Sequence, residues 1–188
     1  MVVPPPPAAS SESGLKLINA GKLTVCSDVP YEPFEFQKDG KIVGFDMDIA
    51  AELAKDVKAE LNVVDSSFEA IETGTALTGC DVSISSISIT DVRKNVMDFS
   101  TPYLDDDLTL VATSASGIEN LDGAKGKKVG VQQATTGAQY AKDKGIDAQQ
   151  FEDSGSWSRP QGRHHRRRRR QPVRPRLRHQ GRFQPQAR

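Results

Sequence analysis

Gly44-Phe45-Asp46-Met47-Asp48-Ile49-Ala50-Ala51-Glu52-Leu53-Ala54-Lys55-Asp56-Val57 is the stretch whose reading decides the fold. Phe45, Ile49, Leu53 and Val57 recur every four residues, which predicts a helix with one buried face. Asp46 and Asp48 sit near its start, where carboxylates suit the helix dipole. On either side lie extended patterns, KLTVCSD (22–28) before it and ELNVVDSS (60–67) after it. FEAIETGTALTG (68–79) then reads as a helix ending near Gly79. CDVSISS (80–86) reads as a third strand, TDVRKNV (90–96) as the opening of another helix, and LKLINAG (15–21) as a short helix closed by Gly21. This alternation of strand and helix implies an α/β unit with a largely parallel sheet.

Farther along, FSTPYLDDDLTLVATSAS (99–116) is long and extended. KGKKVGVQQATTGAQYAKDKGIDAQQFED (125–153) restarts the pattern as strand, Thr-rich turn, helix and strand. It reads as the beginning of a second α/β lobe that is unfinished where the composition changes. The expected organisation is a linker at 1–14, a first lobe at 15–107 without its return segment, the start of a second lobe at 108–155, and a tail at 156–188.

The composition supports this division. The chain has 188 residues, 36% of them hydrophobic and 27% charged, with a formal net charge of zero. That neutrality conceals two halves. Residues 156–188 hold 12 Arg and all 3 His, with no Lys, Asp or Glu, while the residues before them hold 13 basic and 25 acidic groups. An evenly mixed single domain is excluded. The body relies on Lys, and Arg93 is its one Arg. The tail is mostly Arg, Pro, Gln, His and Gly, whose codons begin largely with C or G. Such a switch is what GC-rich DNA gives when read out of frame, and the shifted frame permits a helix end, a turn and a buried strand. The other reading is a genuine basic arm for nucleic acid or anionic surfaces, although only Trp157 and Phe183 interleave it with aromatics. Either way the tail is expected to be disordered.

No apolar run approaches the ~18 residues of a membrane-spanning helix. MVVPPPPAASSESG is expected to be extended and mobile, and as written it has no basic start and apolar core of a signal peptide. Leu23-Thr24-Val25-Cys26 loosely resembles a lipid-attachment box, but Val25 is large for the position before the Cys and the segment reads better as a strand. Two Cys exclude a disulfide-rich scaffold. With Cys26 late in its strand and Cys80 just before its own, parallel neighbours would hold them roughly 10 Å or more apart. Two buried free thiols are therefore expected, since a bridge needs Cα atoms within ~7 Å.

The residues most suggestive of chemistry are Ser83 to Arg93. A strand ends in hydroxyl residues and turns into a helix whose first turn carries Arg93. Helix-start N–H groups favour anions, and a guanidinium can grip a carboxylate through two parallel hydrogen bonds. A solvated Arg after a Ser-rich strand is the alternative. Tyr31 and Phe34 follow one strand end and Phe68 follows another. Ligands of open α/β sheets bind outside those ends, so the aromatics could flank an organic side chain or simply fill the core. Ala134-Thr135-Thr136-Gly137 offers hydroxyls and helix-start N–H groups, or ordinary capping. The Asp105-Asp106-Asp107 run reads as a solvated loop. All His lie in the tail, so the body has no His triad or His metal site, and there is no Walker loop or dinucleotide fingerprint. No catalytic set, metal or cofactor is expected.

At this point the chain resembles a family: the extracytoplasmic solute-binding proteins, family 3, of polar-amino-acid ABC transporters. The Gly44–Val57 stretch matches the family signature. SDVPYEPFEF (27–36), SSFEAI (66–71), CDVSISSISITDVRK (80–94), MDFSTPY (97–103) and KVGVQQATTG (128–137) follow in family order, so the resemblance covers about 15–153 and not the tail. It implies a two-lobed periplasmic-binding-protein-like fold (type II) that captures a free amino acid and presents it to a membrane permease. The implied protein is a monomer that works outside the cytoplasm. Arg93 matches the Arg that holds the ligand's α-carboxylate, and Ser86 and Ser88 match positions whose backbone N–H groups join it. Thr136 matches a second-lobe contact to the same carboxylate, Tyr31 and Phe68 match aromatics beside the ligand side chain, and Asp28 matches an acidic position that contacts cationic side chains in some members. Ala134 departs from the usual Gly before the Thr pair, and the second-lobe Asp that binds the ligand ammonium has no counterpart. With the return strands also missing, weak or absent binding is expected of this chain. A second class is an amino-acid-forming dehydratase, known among relatives of the fold; a third is nucleic-acid binding through the tail.

Overall fold

A computed structural model describes residues 15–155. The linker at 1–14 and the tail at 156–188, with its frameshift and basic-arm readings, lie outside the described residues.

Three parallel strands form the first sheet. β1 (Lys22–Ser27) lies at its centre, with β4 (Glu60–Asp65) on one side and β5 (Val82–Ser83) on the other. Between β1 and β4 come a hairpin, β2 (Phe36–Lys38) and β3 (Lys41–Val43), and the helix α1 (Phe45–Asp56). Between β4 and β5 come α2 (Phe68–Glu72) and a 3₁₀ turn, Thr75–Thr78. The order β4-β1-β5 makes β1 the point where the chain reverses its direction of travel across the sheet. Its carboxyl end is where an open α/β sheet leaves a crevice.

Alternation along β1 sets the layers. Leu23 and Val25 are buried with Ile84 against Ala50 and Ala54 of α1, and Val57, Leu61 and Val82 border this core. The helix therefore buries Met47, Ala50 and Ala54, while Phe45 and Leu53 stay 43% and 42% exposed. The predicted stripe through Phe45 and Leu53 is rotated, because small Ala side chains let the helix lie close on the sheet. Phe45 instead joins a row of rings, 6.2 Å from both Phe34 and Tyr103.

Other elements are shorter than their patterns suggested. Residues 15–21 form no helix; Asn19 bridges to Lys22 across a tight turn, and Leu17 packs on the core. The 68–79 helix breaks at Gly74, which has φ 75°. The third strand keeps two paired residues, and 90–96 yields only a 3₁₀ turn, Arg93–Asn95. The hairpin was not anticipated, although Asp39-Gly40, with φ 50° and 76°, is the type I′ signature.

Gly44 has φ 137°, and a Cβ there would collide with the carbonyl of Phe34. This close approach lets the Pro33 and Phe34 carbonyls accept from the Phe45 and Asp46 N–H groups at 3.1 and 3.0 Å. The aromatic turn is thereby fastened to the start of α1.

The cysteines correct the expectation of free thiols: Cys26 and Cys80 are disulfide-bonded, with Cα atoms 5.8 Å apart. Ser83, not Cys80, lies opposite Cys26 in the ladder. The assumption of a straight strand fails because the chain bends at Gly79–Asp81 on leaving the 3₁₀ turn, folding Cys80 back toward β1.

The second sheet pairs β6 (Val129–Gln132) in parallel with β7 (Ala148–Phe151), connected by α3 (Thr136–Asp143). Ala124, Ala141 and Ile146 form its core. The expected strand, turn, helix and strand are all present.

The bridge closes a loop with a sequence separation of 54. On the chain-entropy account, replacing both Cys by Ala costs about 4 kcal/mol of stability. Urea unfolding of the full chain, with and without reductant, should show that loss in the wild type and none in the double variant.

Candidate functional site

The carboxyl ends of the first sheet carry the candidate residues. Asp28 follows β1, Phe68 opens α2 just after β4, and Ser85 and Ser86 follow β5. The second sheet meets this end through β6 and the turn before α3.

Arg93 lies between the two lobes, and it is 4% exposed. One terminal nitrogen donates to the Ser88 carbonyl at 2.9 Å, and the other donates to the Ala134 carbonyl of the second lobe at 2.9 Å. Its Nε lies 3.8 Å from Glu72 Oε1, and the guanidinium carbon sits 5.4 Å from the centre of the Phe68 ring. Burial pulls the Arg93 pKa down, and Glu72 opposes that pull. The solvated-Arg reading is excluded by this burial. A buried guanidinium costs several kcal/mol unless its donors are met, and here one donor is met by an uncharged carbonyl from the facing lobe.

Asp28 is the second polar group. Burial raises its carboxyl to about 6, with Asp65 and Asp153 adding to the rise; the Gln132 hydrogen bond and the Phe68 backbone oppose it. Gln132 Nε2 donates to Asp28 Oδ2 at 2.6 Å across the two lobes. Ser154 donates to the Pro30 carbonyl, a third crossing.

Tyr31 stacks on Phe34 with ring centres 5.3 Å apart. Tyr31 is 36% exposed, whereas Phe68 is 8% exposed and serves as the platform for Arg93. Thr136 opens α3, and its neighbour Thr135 does the capping: its Oγ1 accepts from the Ala138 N–H at 3.1 Å and donates to the Gln132 carbonyl at 2.7 Å. Ser88 enters through its carbonyl. Ser86 departs from its expected role, because its N–H is spent on Asp46 Oδ2 at 2.6 Å. It shapes the turn to Arg93 and does not offer that N–H to a ligand.

Gln132, Glu35 and Asp46 were not singled out as site residues. Asp46 was read as a helix-dipole residue, yet it is fully buried. A charged residue between Phe34 and Phe36 was the available signal for Glu35. Nothing local marks Gln132, whose role arises across a separation of 104 residues.

The model of the bacterial extracellular solute-binding proteins, family 3, matches residues 23–176. The chain belongs to this family. It is 37% identical over 124 residues to the arginine-binding extracellular protein ArtP of Bacillus subtilis, covering 66% of this chain and 47% of that protein. To the lysine/arginine/ornithine-binding periplasmic protein of Escherichia coli it is 38% identical over 128 residues, covering 64% and 49%. Among solved structures, an amino acid ABC transporter substrate-binding protein from Streptococcus pneumoniae bound to L-arginine aligns with a TM-score of 0.68 at 31% identity. That alignment covers 73% of this chain and 60% of that one. The chain thus spans about half the length of these curated relatives. The fold is the two-lobed type II periplasmic-binding architecture expected from the sequence, and each of these relatives is named for binding, not catalysis.

Ala134 holds φ 62°, a left-handed conformation unfavourable to a residue with a Cβ. Ala134→Gly should relieve that strain and raise stability by about 0.5–1 kcal/mol after the entropic cost of glycine. A rise in the urea midpoint at unchanged slope checks it.

Proposed function

We propose that this chain carries the ligand cleft of an amino acid ABC transporter's substrate-binding component. A free α-amino acid lies between the lobes, and the closed form hands it to a membrane permease. The observation that carries this reading is the pairing of buried Arg93 with the Ala134 carbonyl. A ligand carboxylate is a better partner for a guanidinium than a neutral carbonyl, because both partners are then ionised and two parallel hydrogen bonds replace one. Arg93 holds the carboxylate, joined by groups around Ser88 and Thr136. Phe68 and Tyr31 flank the ligand side chain, and Asp28 faces its far end. Ser86 holds the turn that carries Ser88.

Closure follows from the same contacts. Arg93 and Asp28 each already reach a second-lobe group, so a ligand that bridges them adds stabilisation to the closed arrangement. The working place is outside the cytoplasm, and the Cys26–Cys80 bridge suits an oxidising compartment. The protein acts as a monomer and without a cofactor.

Calorimetry or carboxylate-labelled NMR on the full chain tests the reading, starting with L-arginine, L-lysine, L-histidine and L-cystine. We expect saturable, weak binding by at least one amino acid. Arg93→Ala, or the ligand's carboxamide in place of its carboxylate, should weaken it roughly 10- to 100-fold, the worth of hydrogen bonds to a charged group. Equal binding of acid and amide, or no saturable binding across all twenty amino acids, contradicts the proposal.

A further inference from the structure

Beneath the cleft lie two carboxyl groups that the ligand reading does not use. Glu35 and Asp46 are both 0% exposed, and they converge on one turn, Glu35 bonded to the Ser85 hydroxyl and Asp46 to the Ser86 N–H and hydroxyl. Two carboxylates cannot hydrogen-bond to one another, since neither has a proton to donate.

Their surroundings differ. Asp46 Oδ2 accepts from the Ser86 N–H at 2.6 Å, from Ser86 Oγ at 3.1 Å and from the Tyr103 hydroxyl at 3.1 Å. Three donors on one oxygen suit an anion. Glu35 Oε1 accepts from the Ser85 hydroxyl, whose oxygen in turn accepts from the Asp28 N–H at 3.0 Å. Glu35 Oε2 and Asp46 Oδ1 are buried with no donor reaching them. A proton shared between the two carboxyls meets both needs at once, and buried polar atoms without a partner are costly.

We propose that Glu35 carries a proton at neutral pH and donates it to Asp46, and that this shared proton is a pH-sensitive clamp under the cleft. The clamp ties four segments: the end of β1 through Asp28 and Ser85, the aromatic turn through Glu35, the start of α1 through Asp46, and the returning chain through Tyr103. It does not depend on the identity of any ligand.

The charged and titratable groups around the pair agree. Burial is the main cause that lifts Glu35 to about 8; the charge and contact of Asp46 and the charge of Asp28 add to it, while Ser85 opposes it. Tyr103 is pushed up to about 12, chiefly by burial and then by Asp46. Tyr31 is raised by burial and by Asp106, Glu35 and Asp46. All of these neighbours are acidic groups. Because the folded state holds a proton that the unfolded Glu releases near pH 4.5, its stability falls as pH rises from there and levels off above about 8. Asp28, half-titrated near 6, is mostly ionised by pH 6.5, so the interval from pH 6.5 to 9 is governed chiefly by Glu35.

The test compares the full chain with Glu35→Gln, whose amide can donate to Asp46 without titrating. Between pH 6.5 and 9 the wild-type melting temperature should fall by roughly 5–10 °C relative to the variant. The difference cancels titrations common to both proteins. Infrared spectroscopy of the wild type gives an independent reading: the carbonyl stretch of a protonated carboxylic acid should be present at pH 7 and gone by pH 9.5. That measurement stands even if the variant does not fold. Parallel pH profiles together with no protonated-acid band at pH 7 would overturn the clamp.

Discussion

A guanidinium buried in the cleft is the constraint around which the described residues are arranged. Arg93 cannot lie at 4% exposure unless its donors find acceptors and its flat face finds a surface. The chain meets that demand with the Ser88 carbonyl, the Glu72 carboxylate, the Phe68 ring and the Ala134 carbonyl. Two of these come from the segment after β4, one from the turn after β5 and one from the other lobe. The location of the cleft is therefore set by where the sheet's carboxyl ends deliver those four groups, which in turn follows from β1 being the reversal point of the strand order.

The same geometry explains why so many polar groups lie under the cleft. Strand ends expose backbone groups that must be paired if buried. Asp46 takes the Ser86 amide, Ser85 takes the Asp28 amide, and the Pro33 and Phe34 carbonyls take the first amides of α1. The disulfide fixes the opposite face of β1 to the approach into β5. Between the bridge and the carboxyl pair, the central strand is held on both sides before it opens into the site.

Much of this was legible in the sequence where the signal was local. The β1, β4, β6 and β7 strands and the α1 and α3 helices follow from apolar spacing. Arg93 stood out as the one Arg of an otherwise Lys-based body, and the placing of Tyr31, Phe34 and Phe68 after strand ends followed from the sheet rule, while Asp28 was implied by the family resemblance alone. What failed depended on contacts distant in sequence. The stripe through Phe45 and Leu53 was a sound helical pattern, but close packing on Ala50 and Ala54 turned it. The distance argument against a Cys26–Cys80 bridge assumed a straight strand where the chain bends. Ser86 was assigned to the ligand by the family resemblance, and nothing local showed that Asp46, read as a helix-dipole residue, takes its N–H. Gln132 and Glu35 acquire their roles only when separate segments meet.

The most direct test of the account is a crystal structure of the full chain grown with a saturating amino acid, L-arginine first. The account predicts the ligand's carboxylate within hydrogen-bonding distance of both terminal nitrogens of Arg93, with the Ala134 carbonyl displaced from them. A ligand bound elsewhere, or an Arg93–Ala134 contact that persists with the cleft occupied, would contradict it.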